Sequence, residues 1–172
     1  MKRQRHLFAA LALALVTCFT SCDNDVIWDI IPMRIHITVS NADGQNLLDS
    51  TTANHFDYRQ ITAEWMGESY TADTISLFEK ENTTRMLIGH MHGLVYVVEH
   101  GKAQLYFGDL TGHETFDDEP LTLHWPDGSA DVITVKASAI EGYKSVKLNR
   151  KFKLNGKVVA KDTSSPLIEV VK

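Results

Sequence analysis

The stretch SVKLNRKFKLNGKVVAK, residues 145–161, decides the fold that we predict for this chain. From Val146 to Leu154 its side chains alternate between two sides, as in a strand with one buried face. Asn155 and Gly156 follow, and this pair accommodates the positive φ angles that a type I′ turn requires. A second short run rich in valine comes next. The stretch therefore predicts a β-hairpin, with Arg150 as the one charged residue on its apolar side.

The same alternation recurs along most of the chain. Residues 33–40, MRIHITVS, place Ile35, Ile37 and Val39 on one face and polar side chains on the other. Further strand candidates are ITAEWM (61–66), SYTADTISLF (69–78), TRMLIGHMH (84–92), GLVYVVE (93–99), KAQLYF (102–107), PLTLHW (120–125), ADVITVKA (130–137) and SPLIEVVK (165–172). Residues 45–60 have no sustained period and are predicted to form a long connection.

The number and spacing of these candidates predict the fold class. No stretch of about 11 to 18 residues keeps a helical period. Turn residues recur at intervals of about 8 to 12 residues, which is typical of sandwiches. We therefore predict an all-β fold with roughly nine to eleven strands, arranged as a single antiparallel β-sandwich over residues 33–172, of immunoglobulin-like or transthyretin-like type.

The N-terminus has the pattern of an export signal. Lys2, Arg3 and Arg5 precede residues 7–16, a run of ten residues without a polar side chain. A bilayer core needs about 20 apolar residues to be spanned, so this run is too short for a transmembrane helix. We predict a signal peptide over residues 1–21.

The residues that end the leader, FTSC at 19–22, resemble the lipobox of bacterial lipoproteins, although Phe19 stands where Leu is usual. The resemblance implies that Cys22 becomes the first residue of the mature chain and carries diacylglycerol and a fatty acid such as palmitate. Cys18 is the alternative, but Thr17 is a poorer residue before the cleavage point than Ser21. Nothing later in the chain is apolar for long enough to hold a membrane.

Lipidation at Cys22 also fixes the thiol chemistry and the expected location. Cys18 leaves with the leader and Cys22 becomes a thioether, so thiol catalysis and cysteine metal sites are excluded. Asp23 and Asp25 resemble the export signal of surface lipoproteins in Bacteroidota-type Gram-negative bacteria. This implies a lipid-anchored protein of the outer membrane that faces the cell exterior. The alternative is the periplasmic face, and in other Gram-negative bacteria an Asp here suggests inner-membrane retention.

The mature chain is acidic. The leader contains three of the 17 Lys and Arg and none of the 22 Asp and Glu, which leaves 151 residues with a net charge of −8. This balance argues against a nucleic-acid partner, because phosphate binding requires a clustered positive field. Residues 22–32 form the lipidated cysteine and a tether, from which Ile27, Trp28, Ile30 and Ile31 are expected to dock on the domain.

A second resemblance concerns the C-terminal half. WPDGSADVITV (125–135) and LNRKFKLNGKVV (148–159) resemble the corresponding half of small, largely uncharacterised lipoprotein domains of the same bacterial group. The resemblance implies a sandwich fold and no particular activity.

Two constellations have residue types that bind metals. His90 and His92 lie two apart, so on a strand both imidazoles would point to one face, with a third ligand for zinc or copper from His100, His113 or His124. Their flanking glycines indicate instead a bend with half-exposed histidines. Separately, the acidic residues of FDDEP (116–120), with Asp127 and Asp131, offer the oxygen ligands of calcium. Ordinary turn chemistry explains the same acidic residues.

Three further sets of residues are candidates for binding or modification. Lys147, Lys151 and Lys153 share one face of their strand and could bind an anionic glycan, or else guard a sheet edge. Several aromatic residues could stack on sugar rings or fill the core, namely Trp65, Trp125, Tyr58, Tyr70, Tyr96, Tyr106 and Tyr143. The triplets beginning at Asp49 and Asp73 resemble the O-glycosylation signal of the same bacterial group, which implies modification at Ser50 and Thr74.

Motifs of known chemistry are missing from the sequence. It contains no G-x-S-x-G elbow, phosphate-binding loop or H-E-x-x-H motif. We therefore expect a non-enzymatic surface lipoprotein that acts as a binding, adhesion or accessory module for glycans or an envelope partner. The alternatives are a structural subunit of a surface assembly that exchanges strands and a metal-dependent hydrolase using His90 and His92. Besides the lipid on Cys22 no cofactor is expected, with calcium as the candidate ion.

Overall fold

The computed structural model of the protein describes residues 30–74, 93–142 and 145–172. The predicted leader, Cys22, His90, His92 and the strand candidate at 84–92 lie outside these ranges. The described chain forms β1 (Met33–Ser40), a 3₁₀ helix (Tyr58–Gln60), β2 (Thr62–Trp65), β3 (Glu68–Thr71), β4 (Asp73–Thr74), β5 (Leu94–Glu99), β6 (Lys102–Leu110), β7 (Phe116–His124), β8 (Ala130–Glu141), β9 (Val146–Leu154), β10 (Lys157–Lys161) and β11 (Leu167–Val171). In this part of the chain no helix has the length and apolar character needed to cross a membrane.

The strands form two sheets. Sheet A has the order β11-β1-β6-β5-β4, and sheet B has the order β10-β9-β8-β7-β2-β3. Most neighbours are antiparallel, while β1 with β11 and β4 with β5 are parallel pairs. The prediction of an all-β sandwich is confirmed.

The core lies between the sheets and comes from the inward positions of the alternating strands. Ile35, Ile37 and Val39 of β1 are fully buried, as their spacing predicts. The two sheets meet where Trp65 of β2 packs against Phe107 of β6, with ring centroids 5.7 Å apart. Large aromatic side chains therefore hold sheet B on sheet A.

The predicted hairpin of residues 145–161 is present. Asn155 and Gly156 both have positive φ angles, 48° and 83°, as a type I′ turn requires. Arg150 is buried beside the apolar residues of β9, as its position in the alternation predicts. The turns at 66–67 and 100–101 have the same pair of positive φ angles, so three hairpins of this fold follow from local sequence.

The two ends of the sandwich differ, and β1 runs from one to the other. We call the first of these the tether end. Here Ile30 packs closely on Gly112: a Cβ atom added to Gly112 would lie only 2.5 Å from the Cγ2 atom of Ile30. Arg150 Nη2 donates a hydrogen bond of 3.0 Å to the Ile31 carbonyl oxygen. Docking is thus confirmed for Ile30 and wrong for Ile31, whose side chain is 67% exposed because only its backbone is held.

The opposite end, which we call the loop end, includes the long connection between β1 and β2. The connection after Ser40 begins there, the β7–β8 and β9–β10 turns lie there, and the Lys172 amide donates to the Ser40 carbonyl oxygen at 2.8 Å. The first described residues therefore meet the sandwich at one end, and the long β1–β2 connection begins at the other.

The predicted edge position of the lysine row is wrong for Lys151 and Lys153. Strand β9 lies between β8 and β10 at Lys151 and Lys153, so these two lysines cannot guard an edge. The edge strand of sheet B is β10, which has a lysine at each end of its five residues, Lys157 and Lys161. Charge protects the edge here, one strand further along than the sequence indicates.

Candidate functional site

The candidate site is built on the long connection between β1 and β2. Leu47 and Leu48 of this loop are buried in the core. Asn46 Nδ2 donates to the Ala103 carbonyl oxygen at 2.8 Å, which ties the loop to β6. Phe56 stacks on Trp125 with centroids 6.1 Å apart. The loop is therefore packed by its own side chains, and the residues after Phe56 are held in place.

Two tyrosines form a stack on this support. The rings of Tyr58 and Tyr96 lie 4.3 Å apart at centroid and 11° from parallel, and both side chains are half-buried. The Tyr96 hydroxyl donates to the Leu48 carbonyl oxygen at 3.3 Å. Tyr58 begins the 3₁₀ helix that Asp57 caps by accepting from the Arg59 amide. We call this stacked pair the aromatic platform; each ring covers one face of the other, and both side chains remain partly exposed.

Charged groups border the aromatic platform. Arg59 Nε and Nη2 donate to the two carboxylate oxygens of Asp57, each at 2.9 Å. The same guanidinium lies 5.9 Å from the centre of the Tyr58 ring. Asp49 accepts from the amide and the hydroxyl of Thr51, both at 2.9 Å. A planar cation and two oriented carboxylates thus lie around the rings.

Neighbouring groups determine the ionisation states of Asp57, Asp49 and Tyr96. Hydrogen bonds from Arg59 lower the pKa of Asp57, and those from Thr51 lower the pKa of Asp49. Burial raises the pKa of Tyr96, and the nearby Asp49 carboxylate adds to this effect. Near neutral pH the site therefore offers two carboxylate acceptors, the Arg59 donors and the neutral hydroxyl of Tyr96. Apolar faces beside fixed donors and acceptors suit a sugar, whose ring has a C–H face and a rim of hydroxyls.

The predicted calcium residues have other partners. Asp127 accepts from the amide and hydroxyl of Ser129, at 2.8 and 2.6 Å. Asp131 accepts from Trp125, Asn155 and Lys172. Across residues 30–74, 93–142 and 145–172, no three His, Cys, Asp or Glu side chains are grouped so as to hold a metal ion. Calcium at Asp127 and Asp131 stays a prediction.

The acidic run before β7 is engaged with lysines. Asp117 pairs with Lys136 at 2.6 Å, and Asp118 pairs with Lys153 at 2.7 Å. The hydrogen bond from Lys153 is the main reason that the pKa of Asp118 is lowered. Because Lys153 is neutralised in this way, the row of Lys147, Lys151 and Lys153 offers less positive charge to an anionic glycan than its sequence indicates.

The histidines that could supply the third zinc ligand lie in three different parts of the fold. His100 lies in the β5–β6 turn of sheet A, and His124 ends β7 of sheet B with its Nε2 atom 3.4 Å from Glu64 Oε1. His113 lies in the connection between β6 and β7. The site with His90 and His92 stays a prediction, because those two residues are outside the described ranges.

The two predicted glycosylation positions flank the candidate site. Ser50 is exposed in the loop directly after Asp49. Thr74 lies in β4, where its backbone is in register with Tyr96. Modification at either position stays a prediction, and both positions lie beside the aromatic platform.

Two other surface features are less suitable for binding a ligand by aromatic stacking. On the outer face of sheet A, Arg34 and His36 cover Tyr106, whose pKa burial raises to about 12; its ring is buried and offers no face to a ligand. An open depression of about 640 Å³ beside the β2–β3 turn is lined by Glu64, Glu68 and Glu119. The indole of Trp65, which borders it, packs into the core instead.

Comparisons with known proteins add no relative. No protein family, curated protein or solved structure matches this chain. The case for the candidate site therefore depends on its own geometry.

Part of this site was not predicted. Tyr58 and Tyr96 are among the aromatic candidates, but Asp57 and Arg59 are not among the candidate residues. The signal that could have identified them is the run FDYRQ at 56–60, where aromatic and oppositely charged residues alternate inside a long loop. Such an alternation is uncommon in a loop that serves only as a connection.

Proposed function

We propose that this protein is a lipid-anchored, non-enzymatic binding module of a bacterial outer membrane, and that its ligand is a glycan. The anchor is Cys22, and the ligand stacks on the aromatic platform while its hydroxyls bind Asp57, Arg59 and Asp49. The observation that carries the proposal is the parallel Tyr58–Tyr96 stack with a bidentate Asp57–Arg59 pair beside it.

The position of the aromatic platform supports this function. Tyr58 lies on the loop that leaves β1 at the loop end, whereas the chain from Cys22 reaches the sandwich at the tether end. A domain held by lipid at the tether end turns its long loop away from its own membrane. A ligand outside that membrane is then on the same side of the sandwich as this loop.

The first test is a glycan array with the mature chain carrying Cys22→Ala, which keeps it soluble. We expect Tyr58→Ala to weaken the strongest array signal about tenfold, because it removes a central aromatic contact. Tyr58→Phe should retain the signal, since the ring is kept. Arg59→Ala is expected to weaken it as well.

Arg34→Ala is the matched control for Arg59→Ala. Arg34 also makes a bidentate pair, with Asp109 at 2.9 and 3.0 Å, and lies over a tyrosine ring, but it is on the outer face of sheet A. Glycan binding should survive its loss. Equal losses in the two arginine variants, or no array signal for the parent chain, would overturn the proposed site.

The anchor has a separate test. In cells, Cys22→Ala should move the protein from the membrane fraction into the soluble fraction, because two or three acyl chains are the attachment and a single one binds only marginally. Labelled palmitate should enter the parent chain and not the variant. Cys18→Ala is the control and should behave like the parent. A Cys22→Ala protein that stays with the membranes would contradict the anchor.

A further inference from the structure

A two-stranded arm extends from sheet B at the tether end. Strand β8 pairs with β7 only as far as Ala137, which lies opposite Phe116. Beyond that point, residues 138–141 pair only with residues 146–149 of β9. Within the described residues no third strand adjoins this arm. At about 3.3 Å per residue, the four residues of each arm strand extend some 13 Å beyond Phe116, the first residue of β7.

The arm exposes apolar side chains on both of its faces. Ile140 is 58% exposed on one face, and Leu148 is 37% exposed on the other. Residues directly opposite each other share a face of the ribbon, and successive residues alternate between faces. Ile140 is opposite Lys147, and Leu148 is opposite Ala139, so Ile140 and Leu148 lie on different faces. Exposed apolar surface of this kind is unfavourable in water. Its position on a projecting ribbon indicates a partner.

The tether meets the base of this arm. Arg150 pairs with Ala137 in the register, where the arm begins, and its guanidinium holds the Ile31 carbonyl oxygen. The side chain of Ile31 is 67% exposed at the same place. Eight residues, 22–29, separate the sandwich from the proposed acylated end. Fully extended they span about 27 Å, so the arm cannot be far from the lipid that holds the chain.

We propose that residues 138–141 and 146–149 of this arm contact the surface of the membrane to which the protein is anchored, with Ile140 and Leu148 among the acyl chains and Lys147 at anionic headgroups. The proposal rests on the proposed lipid anchor and adds an orientation to it. An apolar side chain next to a cation suits the boundary between headgroups and acyl chains. A second contact beside the lipid fixes the tilt of the sandwich.

The test uses the acylated mature protein, residues 22–172, in vesicles of equal parts phosphatidylglycerol and phosphatidylcholine. Acylation consumes Cys22, so Ile140→Cys supplies a unique thiol for an environment-sensitive fluorophore. We expect its emission to shift to the blue on vesicle binding and to be quenched by nitroxide-labelled lipids. Val159→Cys is the matched control, because Val159 is 40% exposed on edge strand β10. Its label should show neither change.

The outcomes separate the arm from the anchor. A protein that floats with the vesicles while its residue 140 label stays in water overturns the arm contact and leaves the anchor intact. If the protein carries no acyl chains and does not float with the vesicles, the proposed lipid anchor is overturned. Lys147→Glu should reduce the quenching at residue 140, whereas Lys157→Glu on β10 should not. Equal quenching in both charge variants would overturn the role of Lys147.

Discussion

Replacing Trp65 with alanine is expected to lower the free energy of unfolding by about 4 kcal/mol, the largest effect of a single substitution that we predict. The side chain is fully buried and touches Phe107 of the other sheet and Phe116, at centroid distances of 5.7 and 5.5 Å. Alanine leaves a cavity at the place where the two sheets meet. Urea unfolding of the soluble Cys22→Ala chain measures the change.

Trp65→Phe is the control for this prediction. The Trp65 indole N–H is buried without a hydrogen-bond partner among the described atoms, so phenylalanine removes an unsatisfied donor along with part of the ring. We expect phenylalanine to cost clearly less than alanine. A cost below about 1 kcal/mol for Trp65→Ala would show that this ring does not hold the sheets together.

Replacing Asp131 with alanine is expected to cost about 3 kcal/mol. Its carboxylate is 8% exposed and accepts from Trp125 Nε1 at 2.7 Å, Asn155 Nδ2 at 2.7 Å and Lys172 Nζ at 2.5 Å. Removing it leaves three donors without this acceptor, one of them a largely buried ammonium group. The β7–β8 turn, the β9–β10 turn and the residue after β11 would lose their common contact.

The pH dependence of stability identifies the charge of Asp131. Burial alone raises its pKa, but the hydrogen bonds from Lys172, Asn155 and Trp125 outweigh burial and lower the pKa below 3.8. A pKa lowered by folding stabilises the protein above the unfolded pKa, and this contribution is lost as the pH falls through the folded pKa. The stability difference between the parent and Asp131→Asn should therefore shrink below about pH 5. A difference independent of pH would contradict the ion pair.

Local sequence was sufficient for several strands and turns. The candidate at 69–78 is an exception, because its described part divides at Ala72 into β3 of sheet B and β4 of sheet A. In β1 the alternation of Ile35, Ile37 and Val39 assigns each side chain to the correct face, and the Asn155–Gly156 pair locates a hairpin. Such features depend on residues that are neighbours in the chain. Their stereochemistry is decided before any tertiary contact forms.

The alternation within a strand does not predict which distant strand it pairs with. Nothing in SPLIEVVK indicates that β11 runs parallel to β1, since both strands have the same alternation as their neighbours. The same limit explains the error about the lysines of β9. Whether Lys151 lies at an edge depends on the placement of β10, which the alternation of β9 does not contain.

The candidate site was predicted in part for a similar reason. Tyr58 and Tyr96 are 38 residues apart in the chain, and only the fold of the loop brings their rings together. The contact of Asp131 with Lys172 also joins distant residues, so the hydrogen-bond network around Asp131 was not predicted from the spacing of the acidic residues. In both cases the residue type indicated the chemistry, while the fold determined which distant residue became the contact partner.

The place of β1 in sheet A has a mechanical consequence. With the proposed anchor before Ile30 and the proposed ligand on the long loop, a pull between the two acts along the axis of β1, which is hydrogen-bonded to β6 on one side and β11 on the other. Force in that direction shears both ladders at once, so their hydrogen bonds share the load rather than break one after another. In the proposed arrangement, the strand next to the anchor is thus the one best placed to resist tension.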